Sequence, residues 1–382
     1  MIYPPLDHPL WLLVAFLFGI CVGSFLNVVI YRLPLGLSVN DPKRSFCPGC
    51  KASIPMRRNL PLVSWLWLRG KCADCGGKIS MRYFWVELLT GLLFVGAWRV
   101  MGARVPVGEF VMADLAILPV WFLLAAFVAM TFIDAEHMII PLELSISGTV
   151  AACVAAVLQP ELADLCGWDG LSTGWWSGLK FSVLGWVFGF FGLWAVVLLG
   201  KLAFGKMEWS HEKPVAWRLQ DAETENDPIL FHMGEDSLAW WDIFFRSSDR
   251  LRITADSVKV NGEDGGAGEV VIDQAGVVLP DGRKIAIEDL KSLEGTATKA
   301  VVPREAMGMG DVHLMGVIGA FLGPFAVFFS LFGGSLLAIV AAIFGRIGFG
   351  KQLPFGPYLI LGALVWFFGG WKVAEWYLTV LR

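Results

Sequence analysis

The stretch PLWLLVAFLFGICVGSFLNVVI, residues Pro9 to Ile30, holds no charged side chain. A helix rises 1.5 Å per residue, so about 20 apolar residues cover the roughly 30 Å of a bilayer's hydrocarbon. Further apolar runs follow at Tyr83–Val100, Met112–Ile133, Ile140–Leu158, Ser177–Leu202 and Phe355–Val380. Val312–Arg346 is too long for one passage, and Gly323-Pro324 offers a break inside it. The expected fold is an all-α polytopic membrane protein of about eight transmembrane helices.

Composition agrees. Of the residues, 56% are hydrophobic and 17% charged, with a mean hydropathy of +0.63, whereas a soluble domain carries about 25% charged residues. Several classes drop out. The seven cysteines are odd in number, which disfavours a disulfide framework. No H-E-x-x-H is present, against an intramembrane zinc protease, and no rhomboid-like serine motif either. Asp7 and His8 precede the first apolar run where a cleavable signal would carry basic residues. Nothing points to nucleic acid; the expected surroundings are the lipid bilayer.

The net charge of −4 is a cancellation. The loop 31–82 has ten basic and two acidic residues, a strong cytoplasmic mark by the positive-inside rule. Gln159–Trp176 has no basic residue and is expected outside. Residues 205–305 carry twenty acids against twelve bases and are polar and turn-rich. Arg252–Val260 and Val270–Ile287 alternate like strands, with Asn261–Gly268 as a Gly/Asp loop between them. The segments expected are a first helix over 1–30, a four-cysteine loop over 31–82, helices two to five over 83–204, a small β-rich insert over 205–305 and the last helices over 306–382. No internal repeat stands out.

Two carboxylates draw attention. Asp134 closes one apolar run and Asp311 opens another after Gly308-Met309-Gly310, and topology sends both to the cytoplasmic face. A carboxylate at a membrane boundary is costly unless paired or functional. Two brought together share a proton, so that one can deprotonate water while the other protonates an amide carbonyl oxygen or the leaving amine. The plainer alternative is a helix cap. Gly308 and Gly310 permit close backbone approach beside Asp311.

Cys47-Pro48-Gly49-Cys50 and Cys72-Ala73-Asp74-Cys75 resemble a C-x₂-C…C-x₂-C zinc pattern at slightly long spacing. Four thiolates leave zinc no open position, so the ion would be structural; two redox pairs are the other reading. Cys21, Cys153 and Cys166 read as ordinary apolar or loop cysteines. Glu87, inside the second run, either snorkels or works as an acid. Asn27 and Arg32 stand where a polar anchor is expected. The tryptophans read mostly as an interfacial belt, and Trp240, Trp241, Phe244 and Phe245 as the insert's core or a membrane contact.

Five places together resemble the type IV prepilin peptidase family: GICVGSFLNVVIYRLP over 19–34, the four-cysteine loop, RYFWVELLTG over 82–91, the two aspartate motifs with Ile140-Pro141 and GAFLG over 319–323, and LPFGP over 353–357. The resemblance implies a GxGD-class aspartic membrane protease of the bacterial inner membrane. Such an enzyme removes the basic leader of prepilin or pseudopilin precursors after a glycine, at the cytoplasmic face. Many members then N-methylate the new terminus with S-adenosylmethionine. Asp134 and Asp311 map onto the catalytic aspartates, with Gly308 and Gly310 as motif support, and Cys47, Cys50, Cys72 and Cys75 onto the zinc cysteines. Gly23, Asn27, Arg32 and Glu87 are the candidates for holding the methyl donor. Pilus or secretion assembly components are further expected partners. Leu142 after Pro141, His313 after Asp311 and the long insert depart from the family pattern. A non-enzymatic assembly factor and a transporter with ion-binding aspartates are the rival classes.

Overall fold

A computed structural model describes residues 8–42, 45–47, 49–102, 117–160, 174–204, 206–220, 229–244, 249–303, 307–345 and 353–380. Cys166, Phe245 and most of the expected outer loop lie outside these residues. The chain divides into two units: 1–194 with 309–382, and 195–308.

The first unit is helical. Among the described residues, six helices are long and apolar enough to cross a membrane. These are α1 (Pro9–Arg32), α3 (Arg82–Gly102), α4 (Ile117–His137), α6 (Trp175–Phe204), α8 (Met309–Phe344) and the run Gly356–Tyr377, made of α9 (Gly356–Val365), a π turn and α10 (Trp371–Val380). A five-residue helix, α2 (Val63–Trp67), lies in the cysteine loop. Two features separate six from the expected eight. The run from Ile140 yields α5 (Leu142–Leu158), only 17 residues long, because Pro141 caps the helix and its ring disfavours helical geometry at Ile140. The long run to Arg346 is one helix, α8, broken where Gly323 leaves helical geometry (φ 81°, ψ 175°) ahead of Pro324.

Helices in lipid gain little from hydrophobic burial, so close backbone packing decides which ones pair. α1 and α3 approach through Gly23, where an added Cβ would stand 2.7 Å from the Cα of Glu87. α6 and α8 meet at Gly185, where a Cβ would fall 2.0 Å from the carbonyl oxygen of Gly319. α4 is the most enclosed helix, its buried face running from Ile117 to Asp134.

The second unit is an eight-stranded sheet ordered β3-β2-β1-β8-β4-β5-β6-β7, every pairing antiparallel. The strands are β1 (Lys206–Gln220), β2 (Leu230–Met233), β3 (Asp236–Ala239), β4 (Leu251–Val260), β5 (Glu263–Ile272), β6 (Gly276–Val278), β7 (Lys284–Ala286) and β8 (Leu293–Pro303). Alternation identified β4 and, at one end of the sheet, the last residues of β5 with β6 and β7, but not β2, β3 or the central β8. It missed β1, whose register slips between Ser210 and Val215, at a bulge that accommodates Pro214. The expected Asn261–Gly268 loop is only a two-residue turn. Asn261 (φ 51°) and Gly262 (φ 86°) make a tight hairpin, and β5 resumes at Glu263. The Asn261 side chain accepts from the N–H groups of Lys291 (2.7 Å) and Ser292 (3.0 Å). Trp217, Phe231, Ile253, Val270 and Ala300 centre the core. Phe244 is buried in it and stacks obliquely at 4.4 Å on Trp240, which opens the one-turn helix α7 (Trp240–Ile243), so this part of the aromatic group belongs to the insert's interior.

Candidate functional site

Asp134 lies in the last turn of α4 and is only 5% exposed. Its Oδ2 accepts the N–H of Gly356 at 2.9 Å. Gly356 is the first residue of α9, so that N–H has no partner inside its own helix and points at the carboxylate instead. Glycine is required there: a Cβ would stand 2.8 Å from Asp134 Oδ2 and 3.0 Å from Ile140 Cδ1. Asp311 lies in the first turn of α8, directly after Gly310. Gly310 packs on the same Ile140, where a Cβ would meet the isoleucine's own Cβ at 2.9 Å. Gly308 is exposed, just before α8. Thus the two aspartates and Gly310 come together around Ile140. The sequence argument carried Gly356 only as part of LPFGP over 353–357 and gave it no role of its own. His313 turns away, its ring 5.1 Å from that of Phe190 on α6.

The four cysteines also converge. Their sulfurs all lie within 4.8 Å of one another, and Cys47 Sγ is 3.9 Å from Cys75 Sγ. Tetrahedral zinc with Zn–S bonds of about 2.3 Å sets its sulfurs about 3.8 Å apart, so this donor set fits one metal ion. The turns that present them repeat. Cys47 N–H donates to Ala52 O and Lys51 N–H to Cys47 O; Cys72 N–H donates to Gly77 O and Gly76 N–H to Cys72 O. Lys51 (φ 60°) and Gly76 (φ 69°) take the same left-handed position, and the bridges Phe46↔Ser53 and Lys71↔Lys78 close each turn. The two C-x-x-C pairs thus share a backbone turn as well as their cysteine spacing. Backbone N–H groups of Cys50 and Gly49 hold the Cys47 thiol down at about 7, within reach of the thiolate a metal needs.

Beside the cysteines is a cavity of about 370 Å³, bordered by Asn27, Arg32, Phe46, Trp65, Tyr83 and Glu87. Asn27 donates to Tyr83 O at 3.1 Å, while its buried Oδ1 has no partner among the described residues. Arg32 donates to the carbonyls of Ser38, Val39 and Pro42 at 3.0–3.1 Å and lies over the Phe46 ring at 5.6 Å. Glu87 accepts from Leu62 N–H at 2.6 Å. Trp65 Nε1 is buried and unpartnered among the described residues. Of the four residues singled out for a cofactor, Asn27, Arg32 and Glu87 line this cavity. Gly23 does not; it serves the α1–α3 crossing. The aromatic walls went unnoticed, Trp65 hidden among eighteen tryptophans.

Comparison with known proteins gives consistent matches. The family model described as the bacterial peptidase A24 N-terminal domain matches residues 17–101. A prepilin leader peptidase/N-methyltransferase of Myxococcus xanthus is 39% identical over 178 residues, 47% of this chain and 50% of that protein. The protein of that name from Dickeya chrysanthemi is 33% identical over 223 residues, 53% of this chain and 70% of its own length. That of Aeromonas hydrophila is 27% identical over 397 positions, covering 97% of this chain and 94% of the relative. No solved structure matches significantly.

Proposed function

The chain belongs to the prepilin leader peptidase/N-methyltransferase family, and from that premise we propose that it cleaves prepilin or pseudopilin leaders with Asp134 and Asp311. The observation that carries this is the buried Asp134 carboxylate, held by the N–H of Gly356, which packs on the same Ile140 as Gly310, the neighbour of Asp311. Two such carboxylates share one proton. One aspartate takes a proton from water as it attacks the carbonyl carbon of the leader's final glycine. The other protonates the carbonyl oxygen and then the departing amine. The cut falls at the cytoplasmic face, where the basic loop 31–82 lies by the positive-inside rule. Eight passages follow if α5 and each arm of α8 count as spans, in a bacterial inner membrane. The sheet unit is the soluble insert between helices, open to pilus or secretion assembly components.

The new N-terminus is then methylated. S-adenosylmethionine supplies the methyl group when bound. The cavity fits such a molecule: Glu87 offers a carboxylate to a cationic group, the free Asn27 Oδ1 accepts a hydrogen bond, and Phe46, Trp65 and Tyr83 supply ring faces. Arg32 braces the wall through the carbonyls it binds. Zinc on the four cysteines keeps the adjoining wall folded and takes no part in either reaction.

Incubating the purified protein with a leader peptide tests the peptidase. Asp134→Asn should abolish the shortened product on mass spectrometry. Full cleavage by that variant would end the dyad assignment. An unmethylated product at saturating donor would count against the transferase activity.

A further inference from the structure

Within the basic cysteine loop lies an apolar face left exposed among the described residues. Met56 is 87% exposed and Trp67 80%, and Leu60, Val63 and Leu66 are each more than half exposed. Val63, Leu66 and Trp67 stand at helical spacings of three and four on α2, so they share one side. Trp65 points the other way, into the cavity, with its ring 5.5 Å from that of Phe84. Arg57, Arg58, Arg69 and Lys71 flank the helix in sequence.

The height of α2 is fixed by a hydrogen bond. Leu62, its N-cap, donates its N–H to Glu87 Oε2 at 2.6 Å. Leu62 holds a positive φ of 61° to do so, a conformation that persists only where its surroundings enforce it. Glu87 is five residues into the membrane-spanning helix α3, which begins at Arg82. Five residues of helix amount to about 7.5 Å along the axis. The start of α2 is therefore held beside the second turn of α3, just inside the end of that candidate span.

We propose that α2 is an interfacial helix: Val63, Leu66 and Trp67 enter the lipid at the headgroup–acyl boundary, and Arg57, Arg69 and Lys71 engage lipid phosphates, preferring anionic ones. An apolar side with a tryptophan and basic neighbours is the composition such helices have. The lipid contact would hold one wall of the cavity, through Trp65, against the ends of α1 and α3.

The full-length protein in nanodiscs tests this, with an environment-sensitive fluorescent amino acid introduced at position 67 by stop-codon suppression and, in a second preparation, at position 66. Spin-labelled lipids carrying the label near the headgroup should quench both positions at least about twofold, and aqueous iodide should quench little. Quenching should be stronger in phosphatidylglycerol than in phosphatidylcholine. Full iodide quenching with no lipid quenching at either position would overturn the proposal. Shielding that appears only after a leader peptide is added would also overturn it, because the face would then belong to the substrate.

Discussion

Asp134 finds its hydrogen-bond partner 222 positions away in Gly356, while the thiols of Cys47 and Cys75 meet across 28. The first arrangement exists only once α4, α8 and α9 are packed. The second is set by two short turns of the same backbone design and the ion they fit. A site assembled by long-range packing is sensitive to volume, and one assembled by local turns is sensitive to its metal. The same molecule should therefore fail in two separable ways.

The largest effect should come from the carboxylates themselves. Asp134→Asn is expected to slow leader cleavage by about 10²–10⁴-fold while metal content stays that of the native protein, as read by peptide assay and metal analysis. Next is the packing that holds Asp134. Gly356→Ala puts a methyl where Oδ2 has only 2.8 Å to spare, and displacing the carboxylate by about 1 Å should cost about 10²-fold in cleavage. Equal activity of Gly356→Ala and native protein would break the packing half of the comparison.

The cysteine loop should answer to different treatments. Stripping the metal with a chelator is expected to weaken donor binding by at least about tenfold, measured by calorimetry, with a smaller loss of cleavage. Metal retention should fall as pH drops, because protons compete with the ion for each thiolate. Glu87→Gln should lower donor affinity by about tenfold through loss of one charge-assisted contact and leave cleavage unchanged. The smallest effect belongs to the sheet unit. Asn261→Ala removes hydrogen bonds to Lys291 and Ser292 and should cost that unit about 1–2 kcal/mol in thermal unfolding without touching either activity.

The same contrast explains what could be read in advance. Cysteine spacing is local, so the metal loop was visible in the chain, as were the break at Gly323-Pro324 and most helix positions. Topology suggested that Asp134 and Asp311 share a face, yet spacing could not show that Gly356 supplies the donor, because backbone N–H groups leave no mark in a sequence. β1 was missed because its bulge interrupts the alternation by which strands are recognised. Trp65 was missed because a tryptophan near a membrane usually belongs to the interface, and only the packing of α2 turns this one inward.

The most direct test of the account compares cleavage and donor binding in one preparation of Asp311→Asn. The account predicts that leader cleavage disappears while S-adenosylmethionine still binds with native affinity and the metal stays in place. Cleavage at the native rate would contradict it, since Asp311 would then stand outside the reaction.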